Sequence, residues 1–474
     1  MRHSRWTAVA LAAAMLLPLV VAPFGASSSP GMIGAVVRLS DRFDMSHDAH
    51  VDLVASGSSL LATWESDRAE AIYPESALRL EMGWGARFDG ANWSPAFGTS
   101  YVGGATVEAH FGRSAAGPGH FLVAYNLFPN GFTVVRFGLG GELPEATWLF
   151  EPREGSVAQR PAPAVVGGRD VAAVVTNDPR FAPPGLRAAV MVNLTAGHAI
   201  EGEVIATFPT LALVDARVFE LGGAPAALLE VEPEQASPHE LLLSVRRAGG
   251  WTAPVRVQVA LEGLSRLNAD VAVLGTRAFA VFERQRQVES SLAIIVLSEL
   301  FENGSTRELT VSPSRGSHSH LMPDLALMGD RAFVSWETND DSLGLGSDVD
   351  AYYRGVNLTN WTLGPIRPLN PPDENATDGD AAVASDGARL FGLWITDGPA
   401  YTDGLEDDVV ARYLEGDFDL DGLEDAVDPD PERAAVPPAP GGAPPSVGFT
   451  GAAAVAGVAM AASLLLLRAR RRGH

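Results

Sequence analysis

The sequence predicts an all-β fold: a seven-bladed β-propeller closed by an N-terminal strand, followed by a C-terminal transmembrane helix. Three observations lead to this prediction. The middle of the chain repeats with a period of about 55 residues, a strand-like segment near its start has no repeat of its own, and an apolar segment near its end carries no charge. The repeat period is close to that of propeller blades. We expect the propeller to cover residues 34–415.

The repeat unit is a pair of short apolar strands joined by a glycine turn, clearest in "LNADVAVLGTRAFAVFERQRQ" (267–287) and "LMPDLALMGDRAFVSWETNDD" (321–341). The residue that ends the second strand, called the landmark, recurs every 50 to 61 residues, at Trp64, Tyr125, Val175, Leu229, Phe282, Trp336 and Trp394. Glycine stands seven residues earlier in six units, at Gly57, Gly168, Gly222, Gly275, Gly329 and Gly387. Glycine readily adopts the positive φ of a tight hairpin. We expect the landmark tryptophans to pack between blades.

The seventh unit lacks its fourth strand, and the start of the chain can supply it. Each unit is predicted to have four short strands, but unit seven contains three before the chain becomes acidic. The segment "GAVVRLS" (34–40) begins 30 residues before Trp64, the same spacing as Gly364 before Trp394. We therefore expect residues 34–40 to pair with the last blade, which hides a sheet edge and closes the ring.

The tryptophan-containing turns, such as "SVRRAGGW" (244–251), resemble those of the sialidase-like and BNR-repeat propeller superfamily. The resemblance covers about residues 34–415 and implies a propeller fold. The Asp-box of that superfamily is Ser-x-Asp-x-Gly-x-Thr-Trp, and this chain has degenerate versions only. It has no convincing arginine triad or Tyr/Glu nucleophile pair, and a likeness of fold does not carry activity.

Four units place glutamate directly after the landmark, and these are the weak catalytic candidates: Glu65, Glu230, Glu283 and Glu337. We expect them at the propeller face where ligands usually bind. Four carboxylates there could bind a cation or a polyhydroxyl ligand, or work as an acid–base pair. Solvated strand ends inherited with the repeat are the alternative. The chain has no HExxH, GxSxG or P-loop motif, so no motif supports an enzyme.

Histidines and aspartates before units one, six and seven form a weaker candidate metal site. They are His47, His50, His318, His320, Asp378 and Asp380. Imidazole and carboxylate together suit zinc or iron. Exposed loop residues without a role are the alternative. The acidic loops 337–350 and 396–408 could bind calcium, with solvated loops as the alternative.

The acidic segment 416–431, "GDFDLDGLEDAVDPDP", is predicted to bind calcium as the cofactor of this chain. It matches the spacing of an EF-hand loop, with glycine at position six and aspartate in place of the usual glutamate at position twelve. The predicted ligands are Asp417, Asp419, Asp421, Leu423 through its carbonyl, Asp425 and Asp428. The segment resembles the calcium repeats of thrombospondin type 3 and dockerin-like modules. A charged spacer is the alternative.

The two ends of the chain predict export and membrane attachment. Residues 1–28 have the basic, apolar and small-residue regions of a signal peptide. Residues 432–446 are rich in proline and glycine and predict a stalk. Residues 447–467 are uncharged and long enough to cross a bilayer, and the arginine-rich tail 468–474 should stay in the cytoplasm. We expect a single-pass cell-membrane protein with an extracellular propeller.

Composition excludes several functions. The formal net charge is −24 and the chain has no lysine, which argues against nucleic acid as a partner. The absence of cysteine excludes disulfides and thiolate metal sites. Six sequons are consistent with a glycoprotein: Asn92, Asn193, Asn303, Asn357, Asn360 and Asn375. An acidic, lysine-free, anchored ectodomain with sequons resembles archaeal surface proteins.

These observations predict a membrane-anchored surface module that binds a glycan or protein partner through its propeller. The alternative is an exported glycoside hydrolase or lyase of the sialidase-like propeller type, and a structural envelope component is a third possibility. An enzyme would need a close acid–base pair with a perturbed pKa in a pocket. A binding module could work with exposed aromatic and polar loop residues.

Overall fold

The structure is a computed structural model, and it describes parts of the chain between residues 36 and 416. The described ranges are 36–40, 48–66, 82–102, 105–106, 109–127, 130–195, 200–209, 212–233, 238–257, 264–286, 292–313, 318–343, 348–370, 376–398 and 407–416. They all belong to one compact unit of the chain. Within them, seven antiparallel sheets of four or five strands account for nearly all of the regular structure.

Each sheet is one blade, and in blades 1 to 6 the strands follow one another in sequence from the centre of the molecule outward. The innermost strands of blades 1 to 7 are β2 (Asp48–Ser56), β8 (Ala109–Gly117), β12 (Ala158–Val166), β16 (Leu213–Leu221), β21 (Leu264–Leu274), β25 (His320–Met328) and β29 (Asp378–Ser385). The second strands are β3 (Ser59–Ser66), β9 (His120–Leu127), β13 (Arg169–Thr176), β17 (Ala224–Val231), β22 (Arg277–Arg286), β26 (Arg331–Thr338) and β30 (Arg389–Thr396).

The outer strands complete the blades. The third strands are β4 (Met82–Phe88), β10 (Gly131–Gly138), β14 (Leu186–Leu194), β18 (Glu240–Arg247), β23 (Ala293–Leu300), β27 (Asp350–Asn357) and β31 (Asp408–Gly416). The fourth strands are β5 (Phe97–Gly98), β11 (Pro144–Phe150), β15 (Ile200–Pro209), β19 (Gly250–Trp251) with β20 (Val255–Arg256), β24 (Thr306–Thr310), β28 (Thr362–Pro368) and β1 (Val36–Arg38). The fourth strand of blade 4 is split, and Pro254, which lacks an N–H to donate, lies in the gap.

The blades form a closed ring. Each innermost strand packs against the innermost strands of the blades on either side, and the series returns from β29 to β2. The seventh sheet has the order β1-β31-β30-β29, with Val36 opposite Arg412 and Arg38 opposite Val410. The N-terminal strand therefore closes the ring, and the prediction for residues 34–40 is confirmed for 36–40. A small hairpin of β6 (Tyr101–Val102) and β7 (Ala105–Thr106) between blades 1 and 2 was not predicted.

The hydrophobic core lies between the blades rather than at the centre. Seven clusters of buried apolar residues occur among the described residues, one at each junction between neighbouring blades. Every landmark residue is at most 1 % exposed, including Trp64, Trp336 and Trp394. The prediction that these tryptophans pack between blades is confirmed.

The hairpins between first and second strands turn at glycine, as predicted. The six glycines have φ between +58° and +97°. The second blade uses Gly119, at φ +82°, for the same turn. Five of the six predicted glycines (57, 168, 275, 329 and 387) have nothing within 4 Å of the place where a Cβ would stand. The positive φ of these turns, rather than a lack of room for a Cβ, therefore requires glycine at these positions.

Several predictions fall on residues outside the described ranges. These are the signal peptide (1–28), the acidic calcium segment beyond Gly416, the stalk (432–446), the membrane helix (447–467) and the tail (468–474). Among the residues that are described, no helix has the length and apolar character needed to cross a bilayer.

Candidate functional site

The centre of the ring contains a cavity of about 720 Å³, and all seven innermost strands contribute to its wall. Its lining is polar near the starts of these strands. The polar and charged lining residues near that end are His50, Asp52, Arg113, Arg217, Asn268, Asp270, Asp324 and Asp380. A cavity of this volume is within the range of small-molecule sites in proteins. The end of the cavity at the strand starts is called the mouth below.

A bulge interrupts each innermost strand at the mouth. In six blades, two residues of the innermost strand are skipped in the pairing, as between Leu267 and Asp270 in blade 5; blade 4 skips one residue. In five blades the first skipped residue has a left-handed backbone and is not glycine. These five bulge residues are His50 (φ +52°), Arg160 (+52°), Asn268 (+51°), Met322 (+50°) and Asp380 (+48°). The conformation is unfavourable for residues with a side chain.

Side chains of the preceding blade hold these bulges in place. In blades 2, 3, 6 and 7, a backbone N–H of the bulge donates to the residue that follows the preceding blade's landmark. The pairs are Gly112 to Glu65 at 2.6 Å, Arg160 to Asn126 at 2.7 Å, Met322 to Glu283 at 3.0 Å, and Asp380 to Glu337 at 2.9 Å. Because strand pairing cannot satisfy these N–H groups, a carboxylate or amide acceptor stabilises each bulge.

Three of the four predicted catalytic glutamates, Glu65, Glu283 and Glu337, therefore contact the next blade, and the four are not gathered into one pocket. None of them lines the cavity in the described structure. Glu65, Glu230 and Glu283 are each less than 9 % exposed. Glu230 accepts from His239 Nδ1 at 2.8 Å, and Glu283 also accepts from the Asn268 amide at 2.7 Å. Burial raises the pKa of Glu337.

The cavity wall instead carries charges that the sequence analysis did not select. Asp52, Arg113, Asp270 and Asp324 stand at the first paired position after the bulge of their blades and line the cavity. The same position is Asp215 in blade 4 and alanine in blades 3 and 7 (Ala162 and Ala382). The sequence contained a signal for them. Asp52, Asp270 and Asp324 each stand five residues before the turn glycine of their blade, in "VDLVASG", "ADVAVLG" and "PDLALMG".

Two arginines compensate two of these carboxylates. Arg113 holds Asp215 through two parallel hydrogen bonds of 2.9 and 2.7 Å, and Arg217 Nη1 lies 3.2 Å from Asp270 Oδ1. Burial alone would raise the pKa of Asp215, but Arg113 lowers it overall. Burial alone would lower the pKa of the Arg113 guanidinium, and Asp215 raises it overall. Both groups therefore stay charged.

Asp52 and Asp324 have no such arginine within 4.0 Å among the described residues. Asp52 Oδ2 accepts the backbone N–H and the hydroxyl of Ser114, and Asp324 Oδ2 accepts the Val383 N–H at 2.7 Å. Burial raises the pKa of Asp52 and raises that of Asp324 well above its ordinary value. The negative charge of Asp270 adds to the effect on both. Burial therefore favours the protonated form of both aspartates.

Of the candidate metal residues, the structure brings His50 and Asp380 together at the mouth, and His318, His320 and Asp378 have other contacts. The ring nitrogen Nδ1 of His50 is 3.3 Å from Glu65, and the backbone N–H of His50 donates to Asp380 Oδ2 at 2.9 Å. His318 lies 4.0 Å from Asp340, and burial lowers the pKa of the neighbouring His320 to about 4. A separate pair of contacts holds Asp378, whose carboxylate accepts from Asn370 at 2.6 Å and from Trp394 at 3.1 Å.

Across the described ranges, no group of three or more His, Asp or Glu side chains could hold a metal ion. His47 and the calcium ligands Asp417, Asp419, Asp421, Leu423, Asp425 and Asp428 lie outside those ranges. Of the sequons, Asn92, Asn303 and Asn360 are exposed in turns, whereas Asn193 lies within β14 and Asn375 is not described.

No protein-family model and no curated protein matches this chain. Solved structures with a similar chain path include a GH93 α-L-arabinofuranosidase of Fusarium graminearum in complex with arabinobiose (10% identity, 67% of this chain and 95% of that one, TM-score 0.44). The phage phi92 endosialidase shows 10% identity over 80% of this chain and 69% of its own, with a TM-score of 0.45. The SapL1 lectin with α-methyl fucoside shows 12% identity, 69% and 97% coverage, and a TM-score of 0.41. The propeller assignment rests on the strand pairing described above and not on these remote likenesses.

Proposed function

We propose that this chain is a surface binding module whose propeller takes a polyhydroxylated ligand, a glycan, into the mouth of its central cavity. The observation that carries the proposal is the set of five bulge residues with positive φ. A left-handed backbone costs about 1–2 kcal/mol for a residue with a Cβ, and glycine would avoid that cost. Five blades nevertheless place five chemically different side chains there, which points to a use for those side chains.

The chemistry of the mouth suits sugar hydroxyls. A hydroxyl both donates and accepts hydrogen bonds, so it needs acceptors and donors in its site. A carboxylate such as Asp270 accepts, while the guanidinium of Arg217 and the amide of Asn268 donate. Asn268, His50 and Met322 are exposed at the mouth, where they can reach a ligand. The groups differ around the ring, so a ligand would bind in one orientation.

The test is a glycan array probed with the full-length protein, followed by titration of the best glycan. We expect binding that falls about tenfold or more in Asn268→Ala, because a buried ligand hydroxyl would lose its partner. Asn303→Ala removes the same side chain from an exposed turn between β23 and β24 and serves as the matched control. Binding that is equally strong in both variants would place the site elsewhere, and no binding to any glycan would overturn the proposal.

A second candidate function, glycoside hydrolysis at the same cavity, is favoured by the raised pKa values of Asp52 and Asp324. A carboxyl that stays protonated near neutral pH can act as a general acid, and an ionised neighbour such as Asp270 can act as a base or nucleophile. The test measures the hydrolysis of aryl glycosides by the wild type and by Asp324→Asn. Hydrolysis that disappears in Asp324→Asn, with glycan binding retained, would make the protein an enzyme; binding without turnover would leave it a binding module.

We further propose that the propeller works outside the cell on a membrane-anchored stalk, with calcium bound in the segment 416–431. The support is the order of sequence features: signal, propeller, acidic loop, proline-rich stalk and apolar segment. Calorimetric titration of the full-length protein with calcium tests the metal site. We expect saturable binding that is lost in Asp417→Asn/Asp421→Asn, and equal heats in both proteins would remove calcium from the account.

A further inference from the structure

Two arginines stand at the mouth end of blade 3. Arg160 is the bulge residue of β12, two positions before Ala162, which lines the cavity. Arg187 is the second residue of β14, the third strand of the same blade. Ala188 is paired with Thr176, and Ala158 pairs with that same residue from the other side, so both arginines extend from the same end of one sheet.

Neither guanidinium has a carboxylate partner within the described residues. Arg187 Nε is buried without a hydrogen bond, and Arg160 is exposed and bonded through its backbone N–H only. Burial and the positive charge of Arg160 together lower the pKa of Arg187. The contrast with the adjacent loop is clear, because Arg180 there is held by Asp178 at 2.7 Å.

Two arginines without a carboxylate within 4.0 Å in the described part of the chain are unexpected in this protein; the charge of Arg160 also acts on Asp215, but Arg113 already holds that carboxylate. Acidic residues outnumber basic ones by 58 to 34, so carboxylates are plentiful. Other arginines at the mouth form ion pairs with carboxylates: Arg113 pairs with Asp215, and Arg217 pairs with Asp270. Two like charges close together destabilise the fold unless an anion lies between them. Guanidinium groups bind oxyanions through pairs of parallel hydrogen bonds.

We propose that Arg160 and Arg187 form an oxyanion subsite at the mouth end of blade 3, which takes a carboxylate or sulfate group of the ligand. The inference rests on the proposed function in one respect: the anion is a substituent of the glycan bound in the mouth. The subsite also makes the two sides of the mouth chemically different. Its positive side is blade 3, and its carboxyl-rich side is formed by Asp324, Asp52 and Asp380 of blades 6, 1 and 7.

The first experiment probes the subsite without a glycan. Thermal unfolding of the full-length protein is followed in sodium sulfate at low millimolar concentration and in sodium chloride of equal ionic strength. We expect a saturable rise in the midpoint of about 2 °C or more in the wild type, because an ion that binds only the folded state stabilises it. Arg160→Gln/Arg187→Gln should show no such rise. Arg246→Gln, which removes an arginine paired with Glu203, should retain it.

The second experiment measures binding to one neutral, one carboxylated and one sulfated polysaccharide. We expect the double variant to bind the charged polymers about tenfold more weakly and the neutral one unchanged. Equal loss for all three polymers would contradict an oxyanion role. If sulfate gives no shift in the wild type, the subsite is overturned even where neutral glycans bind. If sulfate binds but no glycan does, the subsite stands and the glycan function falls.

Discussion

The two ends of the innermost strands use the same left-handed backbone with different residues. At the turn end, six predicted positions are glycine, with φ between +58° and +97°. At the mouth end, five blades have a residue with a side chain at φ near +50°. Both ends reverse or interrupt strand pairing, so both need the conformation. Only the turn end avoids the energetic cost of a positive φ, because it uses glycine.

The difference indicates that the mouth is adapted for its side chains and the turn end for folding. A turn glycine such as Gly329 has open space where a Cβ would stand, so nothing is gained there by a side chain. At the mouth, the strain is offset by acceptors from the neighbouring blade, such as Glu283 for Met322. Glu65, Glu283 and Glu337 thus support the mouth instead of forming it.

The largest effect should follow from removing one of these acceptors. Glu283 is 1 % exposed and accepts from the Met322 N–H and the Asn268 amide. Glu283→Ala leaves both donors unsatisfied and should lower the free energy of unfolding by about 3 kcal/mol. Urea denaturation measures the change. Glu283→Gln keeps an acceptor oxygen and should lose less; an equal loss in both variants would argue against the acceptor role.

A smaller effect is expected at the turn end. Gly329→Val places a β-branched side chain at φ +58° and should destabilise the protein by about 2 kcal/mol. Gly329→Asn is the matched control, because asparagine tolerates the left-handed region better. The measurement compares the urea denaturation midpoints of the two variants. Valine and asparagine variants of equal stability would show that the turn does not need positive φ.

The opposite substitution at the mouth should stabilise the protein slightly. Met322→Gly removes the strain at φ +50° and loses little packing, since Met322 is 44 % exposed. We expect a gain of about 0.5–1 kcal/mol. Met322→Ala keeps a Cβ and should show no gain in the same urea titration. A loss in the glycine variant would mean that the methionine side chain, rather than the ligand site, explains the residue.

The smallest effect concerns the dependence of stability on pH at the mouth. Burial raises the pKa of Asp324, so above the ordinary pKa of an aspartate the folded state holds a proton that the unfolded state has released. The free energy of unfolding therefore decreases as pH rises through that window. Asp324→Asn should remove this decrease, so its stability relative to the wild type should increase from pH 4 to pH 7. Parallel pH profiles of the two proteins would contradict the shift.

The fold could be predicted from the sequence because its signals are local and repeated. The landmark, the turn glycine and the spacing of residues 34–40 each reflect one blade geometry, and all of them are found in the structure. The ring closure followed from counting strands, since a blade with three strands needs a fourth.

The site was harder to predict because it depends on which side chains meet across blades. Glu283 and Glu337 looked like a ring at the mouth, yet each turns toward the bulge of the next blade. The bulge places Asp52 and Asp324 on the cavity wall. It is a shift in strand pairing, and no single residue in the sequence predicts it. Arg160 and Arg187 are 27 positions apart, and only the sheet brings them to one end.

The central claim is that the strained residues of the mouth are kept for binding. It is tested most directly by measuring stability and glycan binding together in Met322→Gly, because the side chains of His50 and Asn268 also contact the buried Glu65 and Glu283 and their removal would lower stability. The account predicts a protein that is more stable than the wild type and binds its best array glycan at least about tenfold more weakly. A variant that is more stable and binds as well as the wild type would contradict it.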